Sequence, residues 1–213
     1  MYTEMGLGKT LLVLSFLVAL FEQRGATGPH LIVMPLSVMT SWKSDIEKYI
    51  PGHIVDVHVH LGTRDEREEM FGEWSSRLRA QVTHKKTSRI FLCMTSYNFA
   101  INDIDIFRRL RRKKRCITFW DYLVVDEAHR LKNHDSKLYH CLLQLKSEHH
   151  LALTGTPLQN NLKELWSLLH FILPRIFADF EEFSGWFNHP FDKLENNNGG
   201  RKKSAKNVQN KTG

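Results

Sequence analysis

The sequence predicts an α/β fold, a parallel sheet flanked by helices. Short apolar runs alternate along the chain with stretches whose apolar residues recur at helical spacing. A glycine-lysine loop, Met5-Gly6-Leu7-Gly8-Lys9-Thr10, opens directly into the first helical stretch, and one apolar run ends abruptly in two carboxylates, Asp126 and Glu127.

The first helix is expected from Thr10 to about Arg24; its apolar core, Leu11 to Phe21, is too short to span a bilayer and reads as a buried helix. Strands follow at Leu31 to Met34, Ile54 to Val59, Ile90 to Met94, Tyr122 to Val125 and Leu151 to Leu153. Between them lie helical patterns at Thr40 to Tyr49, Asp65 to Leu78, Tyr97 to Arg112 and Ser136 to Lys146, the first closed by Pro51-Gly52. After Pro157, Leu162, Leu165, Trp166, Leu169, Phe171 and Ile172 form a broad apolar face that Pro174 stops, and a second helix is expected from Asp179 to Phe187. Beyond Asp192 the chain is polar, with too little apolar surface to order itself, so residues 192–213 read as a tail and 1–191 as one domain.

The 213 residues suffice for one buried domain plus that tail. A formal charge of +7 suits a polyanionic partner, though it suits a merely basic soluble domain almost as well. Cys93, Cys116 and Cys141 are widely spaced in or beside apolar segments, which suggests neither a disulfide framework nor a zinc site and fits a reducing compartment.

The loop carries chemistry. Glycines let the backbone curl around phosphate oxygens, a lysine reaches the terminal phosphates, and the next hydroxyl holds Mg²⁺; Gly6, Gly8, Lys9 and Thr10 have those residue types. The full pattern wants a glycine where Thr3 stands, so the loop by itself reads equally as a Gly-Lys helix start. Asp126 suits a Mg²⁺ water shell and Glu127 suits orienting or deprotonating water, yet alone the pair is as ordinary as an acidic first turn. The joint occurrence of loop, carboxylate-ended strand, His129 and the string Leu151 to Pro157 separates the functional reading from these bland ones.

These residues resemble the Swi/Snf-type branch of superfamily 2 helicase-like ATPases, the motors of chromatin remodelling. The matching strings are EMGLGKT at 4–10, LIVMPLSVMTSW at 31–42, MTSYN at 94–98, LVVDEAHRLKN at 123–133 and LALTGTPLQNNLKELWSLLHFILP at 151–174. The resemblance implies a RecA-like first motor lobe that binds ATP with Mg²⁺ and acts in the nucleus on double-stranded DNA and nucleosomes. Met5, Gly6, Leu7, Gly8, Lys9 and Thr10 would bind nucleotide, Thr10 and Asp126 the metal, and Glu127 with Lys9 would be catalytic. His129, Thr154, Gly155 and Thr156 would couple hydrolysis to DNA, which Ser37, Thr95 and Ser96 would touch. The family usually has an aspartate where Thr3 stands, preceded by a strand and a glutamine motif, and continues into a second lobe that supplies an arginine finger. The expectation is therefore a lobe truncated at both ends with an incomplete N-terminal strand, poorly active alone. HLGTRDERE at 60–68 resembles imitation-switch and lymphoid-specific-helicase groups, WFNHPF at 186–191 the founding Swi/Snf motors, so no subfamily is assigned. The alternative is a non-catalytic fragment that binds DNA or a partner; TGTPLQNN disfavours an ordinary P-loop kinase or transporter ATPase.

Other candidates carry less. The basic run Arg108 to Arg115 could grip DNA or direct nuclear import, and reads equally as a solvated loop. His58 and His60 share a strand face without a third metal ligand at useful spacing and are read as structural or surface histidines. Trp42 and Trp166 are read as core, and Ser37 and Thr40 as either phosphate contacts or helix caps.

Overall fold

The computed structural model describes residues 8–84, 89–109, 120–155 and 161–187. Within them β1 (His30–Met34), β2 (Val55–His60), β3 (Ile90–Ser96), β4 (Trp120–Val125) and β5 (Ser147–Ala152) pair entirely in parallel, in the order β2-β3-β1-β4-β5. The helices are α1 (Lys9–Arg24), α2 (Met39–Tyr49), α3 (Arg64–His84), α4 (Tyr97–Asn102), α5 (Ile104–Arg108), α6 (Lys137–Leu143) and α7 (Leu162–Ile172), with a further helix over 180–187. This is the predicted RecA-like α/β arrangement. Met5, Gly6, Leu7, Thr156, Cys116, the expected N-terminal strand and the tail lie outside the described residues.

The central strands are apolar on both sides because both faces are covered. Alternate residues of β1 divide between two cores. Leu31 and Val33 join Phe91, Cys93, Leu123 and Val125 beneath α3 to α7, whereas Ile32 and Met34 join Leu92, Met94 and Val124 beneath α1 and α2. α1 contributes Val13, Leu14 and Leu17 to the second core. It stops at Gly25, whose left-handed backbone, φ 64°, lets its N–H reach the carbonyls of Leu20 and Phe21.

Four boundaries depart clearly from expectation. The helix predicted from Tyr97 to Arg112 breaks at Asp103, whose fully buried carboxylate accepts from Arg67 Nε at 2.5 Å, Arg67 Nη2 at 3.0 Å and Arg64 Nη1 at 3.1 Å, and lies 3.0 Å from His60 Nε2. Binding that carboxylate from three sides turns the chain between α4 and α5. The helix predicted to reach Lys146 ends at Leu143, and β5 begins at Ser147 because Trp120 of β4 pairs with it. α3 runs past Leu78 to His84.

His58 and His60 are indeed structural: His58 Nε2 lies 3.1 Å from His60 Nδ1, and both rings are buried. In the basic run, Arg109 pairs with Glu68 and, at 3.2 Å, with Asp105; residues 110–115 lie outside the described set. Trp166 is buried as expected, stacked on His170, with its indole N–H donating to the Phe177 carbonyl at 3.1 Å.

Burial holds His30 down to about 3 and, helped by the charge of His60, His58 down to about 4. Below the ordinary histidine range the unfolded chain takes up protons that these folded residues refuse. Stability should therefore fall as pH drops from 7 to 5, by about 2 kcal/mol for each such histidine, seen as a lower urea midpoint at unchanged slope; a flat midpoint over that range would refute the assignment. Asp103→Ala, which leaves the buried Arg67 guanidinium without its carboxylate, should cost about 3–5 kcal/mol in the same measurement. A loss below about 1 kcal/mol would show that the network contributes little.

Candidate nucleotide site

Parallel pairing brings the carboxyl ends of four strands to one edge. Val33 of β1 is in register with Thr95 of β3 and Val125 of β4, and Val125 with Ala152 of β5. The residues that follow each strand meet there, in the crevice where open α/β sheets bind ligands.

Lys9 opens α1 behind Gly8, which offers no side-chain cap, and the first turn of the helix carries no acidic residue that would offset its positive end. Lys9 Nζ reaches Glu127 Oε1 at 2.8 Å. Gly155 closes the other side: a Cβ at that position would come within 3.1 Å of Lys9 Nζ, a tight contact that the flexible lysine end would relieve by shifting a few tenths of an ångström. Thr10 is buried beside Lys9 in the same turn.

The carboxylate turn is held from several sides. The N–H of Asp126 donates to the Val33 carbonyl at 2.9 Å and that of Ala128 to Leu153 at 2.7 Å. Between them Glu127 takes a left-handed backbone, φ 48°, ψ 50°, which a non-glycine residue adopts at a cost of about 1–2 kcal/mol. Its N–H donates to Asp126 Oδ1 at 2.9 Å, and the Trp42 indole N–H donates to Asp126 Oδ2, also at 2.9 Å. The Tyr97 hydroxyl donates to the Asp126 carbonyl and, more distantly, at 3.4 Å, to that of Glu127. Burial and the neighbouring Asp126 push the Tyr97 phenol well up, so it stays a donor.

Burial pushes Glu127 towards its neutral form, but the hydrogen bond and charge of Lys9, with those of His129, outweigh it and hold the carboxyl below its usual range. His129 Nδ1 lies 3.2 Å from Glu127 Oε2. Lys9, Asp126, Glu127, His129 and Gly155 thus converge, with Thr10 alongside Lys9 and Thr154 preceding Gly155.

The expected DNA contacts are placed differently. Ser37 is exposed in a 3₁₀ turn at Leu36–Val38. Thr95 is fully buried, and Ser96, 4% exposed, accepts from the Phe99 N–H and caps α4. Neither hydroxyl is open to solvent; the exposed neighbour is Asn98. α2 has no side-chain cap, so capping does not account for Ser37 or Thr40.

Trp42 and Tyr97 lie in the strings at 31–42 and 94–98, but nothing in the sequence shows that both reach the turn at Asp126. Trp42 is core as expected, 1% exposed, but a buried indole N–H needs an acceptor and this one finds the Asp126 carboxylate.

The model of the SNF2-related domain matches residues 1–210. The chain belongs to that family. It is 43% identical over 188 residues to the chromatin structure-remodeling complex protein SYD of Arabidopsis thaliana, covering 88% of this chain and 5% of that protein. Helicase swr1 of Schizosaccharomyces pombe is 38% identical over 198 residues, covering 90% of this chain and 14% of that one, and helicase domino of Drosophila melanogaster is 39% identical over 187, covering 88% and 5%. The Sulfolobus solfataricus SWI2/SNF2 ATPase core, solved in complex with dsDNA, superposes with TM-score 0.63 at 27% identity, over 89% of this chain and 34% of that one. This SNF2-related chain therefore spans a small part of each of these curated relatives.

The Lys9–Glu127 pair lines an open crevice, its side chains 29% and 18% exposed, so it holds the fold only weakly. Lys9→Ala should lower stability by less than about 1 kcal/mol without nucleotide, while the carboxyl resonance of Glu127 titrates at higher pH. An unmoved Glu127 titration would contradict the pairing.

Proposed function

We propose that this chain is the ATP-binding lobe of a nuclear, DNA-dependent ATPase that remodels chromatin, and that hydrolysis centres on Glu127. The observation that carries the reading is the convergence of Lys9 and Glu127 at 2.8 Å across the crevice, on a turn that also presents Asp126. Triphosphate oxygens compete with Glu127 for the Lys9 ammonium. When the phosphates take Lys9, Glu127 loses the partner that keeps its carboxyl acidic, and burial then favours the proton. The residue gains basicity as nucleotide binds, which suits a group that orients water and accepts its proton.

Thr10 and Asp126 offer a hydroxyl and a buried carboxylate, hard oxygen donors of the kind Mg²⁺ prefers, and would hold that ion. Bound there, it would neutralise charge on the transferring phosphoryl group. The positive end of α1 would add to this, and the lack of a side chain at Gly155 leaves room for the Lys9 amine. Duplex DNA as partner is supported by the DNA-bound archaeal relative, and chromatin and the nucleus by the remodelling-complex relative. The segment that would meet DNA includes exposed Ser37 and Asn98; Thr95 and Ser96 act beneath that surface. Coupling is assigned to His129, beside Glu127, and to Thr154 and Gly155.

The resemblance gives the arginine finger to a second lobe, and loss of such a group costs on the order of a thousandfold or more in turnover. MgATP should raise the melting temperature of the purified chain, with no rise in Lys9→Ala, while turnover stays near background. Robust DNA-stimulated turnover abolished by Lys9→Ala would disprove the low-activity claim; no shift with MgATP, with DNA still bound, would favour a non-catalytic DNA-binding fragment.

A further inference from the structure

The Asp126 carboxylate is engaged on both oxygens by the chain itself. Oδ1 accepts the Glu127 N–H and Oδ2 the Trp42 indole N–H, each at 2.9 Å. Trp42 lies 84 residues away in sequence, in α2, and is 1% exposed, wedged among Val13, Leu14, Ile46 and Met94 of the core under α1 and α2. An indole packed this tightly has few alternative rotamers, so its N–H fixes a direction in space and not merely a contact. A second tether arrives independently: Tyr97, the first residue of α4, donates to the Asp126 carbonyl, fixing the backbone from which the carboxylate springs.

We propose that Trp42 is a positioning residue for Asp126: its indole N–H sets the orientation of the carboxylate that would hold the metal, and thereby the strength of metal-dependent nucleotide binding. The inference rests on the nucleotide-site reading above. Oxygen Oδ2 has two lone-pair directions, and Trp42 occupies one, leaving the other for a metal-bound water. Without the N–H the carboxylate can rotate about its Cβ–Cγ bond, and a buried acceptor is left unpaired. Partners that orient metal-ligating carboxylates typically matter about 10- to 100-fold for metal affinity. A tryptophan that merely filled the core would lower stability when altered and leave the metal dependence alone.

The test is calorimetric titration of the whole chain with ADP, once with Mg²⁺ and once with EDTA, comparing wild type, Trp42→Phe and Lys9→Ala. The readout is the ratio of the two affinities, which a general packing defect does not change. Trp42→Phe should reduce that ratio about tenfold or more. If phenylalanine prevents folding, a benzothienylalanine at position 42, which keeps the bicyclic shape and replaces the N–H by sulfur, should show the same reduction. Binding that Lys9→Ala weakens, together with a ratio that either Trp42 substitution leaves intact, overturns the positioning role alone. Binding that is absent in wild type, or indifferent to Lys9→Ala, overturns the nucleotide site and the positioning role with it.

Discussion

Parallel strand pairing is the constraint on which the site depends. Because β1, β3, β4 and β5 run the same way and stay in register from Val33 through Thr95, Val125 and Ala152, every chain segment leaving the sheet on that side leaves at one level. Four segments far apart in sequence therefore face one crevice. They bring Trp42 on α2, Tyr97 on α4, the turn at Asp126 and Glu127, and Gly155. α1 adds Lys9 by packing Val13, Leu14 and Leu17 against the same sheet. Shifting one strand by a single residue would exchange the side chains it sends to the two cores, so the packing of both cores also protects the site's geometry.

Within the crevice the groups oppose one another. Burial makes Glu127 costlier to ionise, and Lys9 and His129 more than offset that cost. Its left-handed backbone is unfavourable by itself and persists because Tyr97, Asp126 and the Leu153 carbonyl hold the turn. Such an arrangement responds to an anion that draws Lys9 away. Lys9 and Glu127 are thereby coupled, and on the proposed reading a ligand that replaced one partner would change the chemistry of the other.

Much of the fold was legible because it depends on patterns within single segments. The strands and helices emerge from apolar spacing, and the carboxylate pair at the end of β4 emerges from residue type and order. What stayed hidden depends on contacts between segments. Asp103 looks like any polar residue inside a helical pattern, and only its encounter with Arg67, Arg64 and His60 breaks the helix there. β5 starts before its apolar run because Trp120 pairs with Ser147. Trp42 reads as core from its neighbours, and it is core; that its N–H ends on Asp126 needs the sheet to place α2 beside β4. Thr95 and Ser96 belong to a matching string, but their hydroxyls are turned inward, and no single-segment pattern predicts that.

The central claim is that Lys9 leaves Glu127 for the phosphates while Asp126 stays anchored to Trp42. An experimental structure of the chain with a non-hydrolysable ATP analogue and Mg²⁺ tests this most directly. The account predicts Lys9 Nζ within hydrogen-bonding distance of a phosphate oxygen, the contact to Glu127 opened, and the Trp42–Asp126 hydrogen bond retained. Nucleotide bound away from this crevice, or bound in it with the Lys9–Glu127 pair still closed, would contradict it.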